Sequence, residues 1–364
     1  MSDDPIVKLR ERIDAIDEQL LELFNQRAGC AVEVARVKRE LSEDPEDTIE
    51  FFRPEREAQV MKRLRALNKG PLSDQEVARL IREVMSACLA LEQPLKIAYL
   101  GPEGTYTQTA ALKHFGHSVS TAPMSSIPDV FAAVESGQTN YGLVPVENST
   151  EGVISHTLDM FIDSSLRVCG EVEIPINHYL ASNSQDVSMI RHIYSHQQSF
   201  AQCRRWLDQN LPGVERIPVS SNAEAARLAA SEDDAAAICG LPAVEIFGLK
   251  VCYENIEDLS DNTTRFVIIG KQEVAPSGND KTSLLISTKN IPGALLGVLQ
   301  PLADHGISMN KIESRPAQGY KWAYVFFIDI DGHQDDENVI NALNELKQQA
   351  ALFKILGSYP KASL

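Results

Sequence analysis

The sequence lacks the features that mark nucleic-acid-binding, membrane and secreted proteins. Its 34 Lys and Arg residues are outnumbered by 51 Asp and Glu residues, and the net charge of -17 argues against binding to nucleic acid. No apolar run approaches the roughly 20 residues that a transmembrane helix requires. The six cysteines have no CxxC spacing, which disfavours a zinc site and a disulfide framework. With an acidic start unlike a signal peptide, these absences predict a cytoplasmic protein without a bound metal.

The patterns that are present divide the chain into three segments. A length of 364 residues predicts two or three domains. Residues 1–93 carry helical periodicity, and residues 95–271 alternate short apolar strands with helices, which is typical of an α/β fold. Residues 281–360 follow a βαββαβ order, which predicts a ferredoxin-like α+β module.

The first segment opens on an unusually long helical pattern. From Pro5 to Leu41 there is no internal proline, and Gly29 is the only glycine. Apolar residues recur there at helical spacing, at Ile6, Leu9, Ile13, Ile16, Leu20, Leu23, Phe24, Ala31, Val34 and Val37. Such a helix spans roughly 55 Å. Because this exceeds one compact domain, the pattern predicts a bundle shared between chains.

Basic residues stand among these apolar positions. Arg27 and Lys38 are eleven residues apart, three helical turns, so they point the same way. Arg10 lies seventeen residues before Arg27, about 100° round the helix, so a partner chain could supply it to the same pocket. Cations on a helix that also builds a core predict a binding site for a small polyanion.

Each segment also carries motifs of one family. These are Arg53-Pro54-Glu55-Arg56-Glu57 in the first segment, Gly101–Thr107, Pro145–Ser149, Ser195–Gln198 and Asn262–Phe266 in the second, and Pro292–Leu295 and Glu313–Pro316 in the third. In this order they resemble the bifunctional chorismate mutase/prephenate dehydratase family over nearly the whole chain. The resemblance implies an all-α chorismate mutase in an intertwined homodimer, then a two-lobed α/β dehydratase domain like type II periplasmic binding proteins. A ferredoxin-like ACT domain would follow.

For the mutase step, the resemblance implies a site that needs no nucleophile, general base or cofactor. The rearrangement is pericyclic, so the site must hold a compact dicarboxylate and stabilise charge on the ether oxygen. Lys38 would donate to that oxygen, and Glu57 would bind the substrate hydroxyl. The substrate-binding set is completed by Arg27, Arg56, Cys88 and, from the partner chain, Arg10.

Glu92 stands where some relatives have glutamine. A glutamine donates a hydrogen bond at any pH, whereas a glutamate donates only when protonated. We therefore expect that acid favours the mutase step, or that the dianionic substrate raises the Glu92 pKa towards neutrality.

For the dehydratase step, prephenate loses CO₂ and its C4 hydroxyl together. By resemblance, Thr264 hydrogen-bonds the leaving hydroxyl and Arg265 supplies positive charge at or beside the site. Glu147 either orients the threonine or caps a helix, and His196 is either a structural residue or a contact to substrate or between lobes. Further polar wall residues are expected at Thr105, Asn148, Ser149 and Gln202.

The third segment resembles a dimerising ACT domain that binds an amino acid. Gly293 lets a ligand approach the backbone closely, and the helix amides that follow at Ala294 and Leu295 suit a carboxylate. Glu313, Ser314 and Arg315 end a strand and would line the partner's face. The resemblance implies phenylalanine, the pathway's end product, as a feedback inhibitor.

Two other readings stay open. The chain could be a monofunctional dehydratase whose helical segment only dimerises, although aligned cations at Arg27, Lys38 and Arg56 have no use in a mere arm. It could also be a non-catalytic sensor of prephenate or an amino acid, against which the Thr264-Arg265-Phe266 match argues.

Overall fold

The structure is a computed structural model that describes residues 4–41, 50–289, 291–316 and 324–362. The chain divides into two compact units. The helical unit comprises residues 1–53, 61–95 and 115–120, and the larger unit comprises residues 54–60, 96–114 and 121–364. No helix in the described ranges is long and apolar enough to cross a membrane.

The helices of the first segment are α1 (Pro5–Leu41), α2 (Pro54–Leu67) and α3 (Asp74–Glu92). α1 has the bounds that its pattern predicts, and α3 begins where Ser73 Oγ accepts a hydrogen bond from the Glu76 amide at 3.2 Å, a capping interaction. α1 packs on α3 within the helical unit. Among the residues of α1, all of them described, only Ala35 is buried, so its apolar stripe is left exposed.

The larger unit contains two α/β lobes. The sheet of the first lobe has the order β2-β1-β3-β11-β5, with β1 parallel and β11 antiparallel to β3. The chain leaves this lobe after β5 and returns with β11, so the last strand closes the lobe that the first strands began. Its elements are β1 (Lys96–Leu100), α4 (Tyr106–Phe115), β2 (Ser120–Met124), α5 (Ile127–Glu135), β3 (Tyr141–Asn148), β4 (Gly152–Val153), α6 (Ser155–Asp163), β5 (Arg167–Pro175) and β11 (Thr263–Gly270).

The second lobe has a sheet of order β10-β6-β9-β7-β8. Alanines of α9 and β9 dominate the core on one side of this sheet, which lets helix and sheet approach closely there. Its elements are β6 (Tyr179–Ser182), β7 (His192–His196), α7 (Gln197–Gln202), α8 (Arg204–Asn210), β8 (Glu215–Val219), α9 (Asn222–Ala229), β9 (Ala235–Cys239), α10 (Leu241–Phe247) and β10 (Lys250–Tyr253).

The C-terminal module has the predicted βαββαβ order and a sheet of order β13-β14-β12-β15. The two helices cover one face of this sheet. The other face packs on the first lobe, where Phe327 and Leu356 join the hydrophobic core that contains Val168. At this contact a Cβ on Gly357 would lie 2.1 Å from the Val168 carbonyl oxygen, so only glycine fits. The elements are β12 (Asp280–Ser287), α11 (Ala294–Asp304), β13 (Met309–Pro316), β14 (Tyr324–Asp331), α12 (Glu337–Gln349) and β15 (Leu352–Pro360).

Candidate active sites

Charged side chains of α1 and α3 meet in the helical unit. Glu92, at the end of α3, is partly buried and lies within electrostatic reach of Lys38, Arg27 and Arg39. Burial raises the pKa of the Glu92 carboxyl above its ordinary value, although the three cations act in the opposite direction. The cations of α1 that the spacing places on one side are thus near one carboxyl group.

The basic end of α1 is restrained by its surroundings. Lys38 Nζ donates to the Glu50 carbonyl oxygen at 2.9 Å and lies 5.2 Å from the centre of the Phe51 ring. The Arg39 guanidinium lies 5.3 Å from the same ring and donates to the Glu92 carbonyl oxygen at 2.7 Å. Sequence reasoning missed Arg39, because periodicity alone does not distinguish it from a solvated surface arginine.

The other predicted mutase residues lie on all three helices of the first segment. Arg10 is exposed and lies about 25 Å along α1 from Arg27, so one copy of α1 cannot bring the two together. Cys88 is buried in α3. Arg56, which is exposed, and Glu57, which is partly buried, lie in the first turns of α2 and belong to the larger unit.

A cleft of about 400 Å³ opens in the two-lobed domain. Gly104, in the turn between β1 and α4, has a φ of 84°, and a Cβ there would come within 3.2 Å of the Ala243 Cα, so glycine permits the close approach of the lobes. Five predicted residues line the cleft, namely Thr105, Asn148, His196, Gln202 and Thr264. Thr105 also donates its hydroxyl to the Leu100 carbonyl oxygen at 3.2 Å.

Thr264 and Asn148 face each other on adjacent strands of the first lobe. Asn148 Nδ2 donates to Thr264 Oγ1 at 2.8 Å and to Asn262 Oδ1 at 2.8 Å. Asn148 Oδ1 accepts from the backbone amides of Thr150 at 3.0 Å and Glu151 at 3.1 Å, so the amide orientation is determined. Because Thr264 Oγ1 accepts from Asn148, the Thr264 hydroxyl can donate its own proton to a molecule in the cleft.

Gln202 extends this network into the second lobe. Its Oε1 accepts from Asn262 Nδ2 at 3.2 Å and from His178 Nε2 at 2.7 Å, and its Nε2 donates to Glu151 Oε1 at 3.0 Å. The two lobes are therefore joined by side chains at the base of the cleft.

His178 is a cleft residue that sequence reasoning missed. It is 1% exposed, and its Nδ1 has no hydrogen-bond partner among the described residues. Burial lowers the pKa of His178 below its ordinary value, although its bond to Gln202 and the charge of Glu257 act in the opposite direction. The ring is thus neutral near pH 7, with Nε2 as its donor. A single histidine before a short strand carries no pattern that could have marked it.

The cleft has no Lys or Arg among the described residues that line it. Two helices of eight residues or more begin at its wall instead. α4 begins beside Thr105, and α9 begins beside Ser221, which caps it by accepting from the Glu224 amide at 3.1 Å. The free amides and positive dipole ends of such helices suit carboxylates.

Ser149 and His196 have local structural bonds. Ser149 does not line the cleft, and its Oγ donates to the Asp261 carbonyl oxygen at 3.1 Å and accepts from the Thr263 amide at 2.9 Å. It therefore fixes the ends of β3 and β11 to each other. His196 lines the cleft and also caps α7, because its Nδ1 accepts from the Gln198 amide at 3.3 Å.

Arg265 is directed away from the cleft. Successive side chains of a strand point to opposite faces, and Thr264 faces the cleft. Arg265 instead donates from Nε to Glu171 Oε2 at 2.8 Å and from Nη1 to Asp329 Oδ2 at 2.7 Å. Arg265 is therefore next to Thr264 in the strand but is bonded outside the cleft, and its expected charge at or beside the site stays a prediction.

The predicted residues of the C-terminal module occupy two places. Gly293 adopts a φ of 79° and precedes α11, which begins at Ala294 and includes the partly buried Leu295. Arg315 of β13 donates to Asp159 Oδ2 at 2.9 Å and to Ser155 Oγ at 2.9 Å, so it contacts the first lobe of its own chain. Along the same strand Glu313 is partly buried and Ser314 is exposed.

A group with metal-ligand chemistry lies elsewhere in the second lobe. Ligand atoms of His192, Glu232 and Asp234 are within 4.8 Å of one another, and His192 Nε2 lies 2.6 Å from Glu232 Oε2. His192 begins β7 while His196 ends it at the cleft, about 13 Å away along the strand. The cleft is therefore separate from this group.

The fold and the cleft define the class of the protein. A helical unit comes first, a two-lobed α/β domain follows, and a ferredoxin-like module comes last. The cleft of the two-lobed domain suits anions. This combination defines a multidomain protein that acts on small carboxylates. Family models match in the same order: chorismate mutase type II at residues 9–93, prephenate dehydratase at residues 97–274 and the ACT domain at residues 282–348.

Known proteins are similar over the whole length. The bifunctional chorismate mutase/prephenate dehydratase of Pseudomonas aeruginosa is 54% identical over 99% of both chains, and that of Aquifex aeolicus is 43% identical over 98% of both. The crystal structure of prephenate dehydratase in complex with L-Phe from Arthrobacter aurescens has a TM-score of 0.68 at 36% identity, covering 74% of this chain and 90% of that chain. The chain belongs to the family of bifunctional chorismate mutase/prephenate dehydratases, and it combines an isomerase with a carbon–oxygen lyase.

Proposed function

We propose that the helical unit rearranges chorismate to prephenate with Arg27, Lys38 and Glu92. The supporting observation is that both cations lie within electrostatic reach of one partly buried carboxyl group. The cations would bind the substrate carboxylates in a compact conformer, and Lys38 and protonated Glu92 would donate to the ether oxygen as charge develops there. Arg56, Glu57 and Cys88 stay predictions from the resemblance.

The mutase site would be completed by a second copy of this chain. Leu20, Leu23 and Phe24 of α1 are 42%, 58% and 45% exposed, and this stripe of a 37-residue helix needs an apolar cover of comparable length. A second α1 has that length and the same stripe. It would also bring its own Arg10 towards Arg27, which one chain cannot do.

In the cleft, prephenate would lose CO₂ and hydroxide to give phenylpyruvate. The electron pair of the breaking C–C bond enters the ring as CO₂ departs, and the C4–O bond breaks as hydroxide leaves. Thr264 would donate a hydrogen bond to this departing oxygen, because Asn148 already occupies its acceptor side at 2.8 Å. This bond is the observation on which the assignment mainly rests.

The remaining polar groups would position the substrate. The amides at the starts of α4 and α9 would bind the carboxylates, with Thr105 at the first of them. Gln202 and His196 would contact the substrate from the second lobe, while Ser149 would hold the strand ends that carry Asn148. Arg265 would act without contacting the substrate, since its guanidinium is bonded outside the cleft.

Phenylalanine would bind at the C-terminal module and inhibit the dehydratase step. The left-handed Gly293 and the amides that open α11 at Ala294 and Leu295 suit an amino-acid carboxylate. Exposed Ser314 and partly buried Glu313 on the edge strand β13 would complete the site. The Arthrobacter aurescens relative was crystallised with L-Phe, which favours this ligand. The six cysteines, all among the described residues, form no disulfide, which favours a reducing compartment such as the cytosol.

A two-step assay tests this function. Purified protein receives chorismate, and loss of chorismate and formation of phenylpyruvate are followed with and without phenylalanine. We expect both changes, with phenylpyruvate formation slowed by phenylalanine. Accumulation of prephenate would indicate a mutase with a sensing second domain. Turnover of supplied prephenate without loss of chorismate would reduce the helical segment to a dimerisation arm.

A further inference from the structure

The two strands that carry the dehydratase residues also face the C-terminal module. β3 and β11 are paired so that Asn148 lies opposite Thr264 and Glu147 lies opposite Arg265. Because side chains alternate along a strand, the first pair faces the cleft and the second pair faces the other side of the sheet. Each cleft residue is therefore covalently next to a charged residue of the opposite face.

Both charged residues bond to the C-terminal module. Arg265 Nη1 donates to Asp329 Oδ2 at 2.7 Å, and its Nη2 donates to the Tyr359 hydroxyl at 3.0 Å. Lys311 Nζ donates to Glu147 Oε2 at 2.6 Å. The contacts join β14, β15 and β13 of the module to the two strands of the first lobe.

The bonds of Arg265 form a closed circuit. Its Nε donates to Glu171 Oε2 at 2.8 Å within the first lobe. Tyr359 accepts from Arg265 and lies 2.7 Å from Ser283 Oγ, which donates to Asp329 Oδ1 at 2.5 Å. Each side chain of this circuit therefore bonds two others of the circuit. A shift of one side chain changes the hydrogen bonds of its neighbours.

Burial makes the loss of any of these ion pairs costly. The side chains of Arg265, Glu171 and Asp329 are 13%, 2% and 11% exposed, and Lys281, 13% exposed, is the second cation of the group. A buried charge that loses its partner is strongly destabilising. A displacement of the module's sheet relative to β11 would therefore move Arg265 or break its bonds. It would not leave the group as it is.

The packing also leaves a small cavity at this contact. A cavity of about 30 Å³ lies between the two sheets beside Arg265 and Asp329, and Val146 and Val267 of β3 and β11 form part of its wall. Such a volume is large enough for one water molecule. Arg265 and Asp329 therefore meet beside a cavity of this size.

We propose that Arg265 is a positioning residue for Thr264, and that Asp329 couples the C-terminal module to the dehydratase cleft through it. Binding of phenylalanine would shift the module's sheet, Arg265 would follow Asp329, and Thr264 would move away from the departing hydroxyl. This inference rests on the proposed binding of phenylalanine to the module. It assigns Arg265 no contact with the substrate.

The test compares Asp329→Asn with Asp331→Asn. Both changes remove one carboxylate from β14, but Asp331 bonds Lys361 and Asn310 within the C-terminal segment. Phenylalanine binding is measured by calorimetry, and its inhibition of the dehydratase is measured with supplied prephenate. We expect Asp329→Asn to bind phenylalanine as the wild type does, while the concentration for half-inhibition rises about tenfold or more. Asp331→Asn should be inhibited normally.

A second variant tests the positioning role. Arg265→Lys cannot reach both Glu171 and Asp329, so we expect dehydratase kcat to fall about tenfold with KM nearly unchanged. Mutase activity of the same chain reports the folding of the helical unit, and far-UV circular dichroism reports that of the larger unit. If Asp329→Asn fails to fold, Tyr359→Phe, which removes only the hydroxyl, replaces it and should likewise weaken inhibition.

The outcomes separate this inference from the proposed function. Absence of phenylalanine binding to the wild type would overturn the proposed ligand and the coupling with it. Equal binding and equal inhibition of wild type and Asp329→Asn would overturn the coupling alone. A rise in KM with unchanged kcat in Arg265→Lys would show that Arg265 binds substrate, contrary to the positioning role.

Discussion

Replacing Thr264 with valine removes one hydroxyl group and keeps the shape of the side chain. If that hydroxyl donates to the departing oxygen, its loss removes a donor that acts where charge develops. Such a loss lowers kcat by about 10²- to 10³-fold, or about 2.7–4 kcal/mol of transition-state stabilisation. Asn148 Nδ2 keeps its second acceptor, Asn262 Oδ1, at 2.8 Å. The free energy of unfolding should therefore fall by only about 1 kcal/mol, the contribution of one neutral hydrogen bond.

The assay follows phenylpyruvate formation from supplied prephenate by Thr264→Val. Loss of chorismate by the same preparation is the internal control and should be unchanged. Thr264→Ser is the matched variant, since it keeps the hydroxyl and loses one methyl group, and it should retain most of the wild-type kcat. A decrease of less than about tenfold in Thr264→Val, about 1.4 kcal/mol, would refute the role of this hydroxyl.

Three further predictions concern other parts of the chain. Burial raises the Glu92 pKa, so mutase activity should increase as the pH falls towards that pKa. Glu92→Gln should abolish this pH dependence, and identical pH profiles of the wild type and the variant would contradict the prediction. Leu20→Glu should dissociate the proposed dimer in sedimentation velocity and lower mutase activity more than dehydratase activity, whereas exposed Glu22→Gln should do neither. Burial lowers the His178 pKa, so the unfolded chain binds more protons below about pH 6.5 and the free energy of unfolding should fall there. Urea unfolding at several pH values should show a smaller decrease in His178→Gln, and an equal decrease would exclude His178 as its source.

Local patterns predicted the secondary structure well where periodicity was strong. α1 begins at Pro5 and ends at Leu41, as its pattern predicts, because the sequence keeps helical spacing to both ends. Short elements such as α7 (Gln197–Gln202) and β4 (Gly152–Val153) carried too few residues for a period to be detected. Such short elements are determined by tertiary contacts, and a local sequence pattern carries no information on those contacts.

The candidate residues divide in a similar way. Thr264 and Asn148 were predicted as cleft residues from their motifs, and the structure adds the bond that orients the threonine. Arg265 belongs to the same motif, yet strand alternation turns it to the opposite face, towards Asp329. A motif groups residues by sequence position. It does not say which face of a strand each one takes.

The sequence by itself determined the order of the domains, the long helix and the cations at Arg27 and Lys38, because these depend on spacing along one chain. Only the tertiary structure decided that His178 joins the cleft and that Arg265 leaves it. The bond from Asn148 to Thr264 joins residues 116 positions apart. Contacts over such separations form when sheets pair and pack, so local sequence does not reveal them.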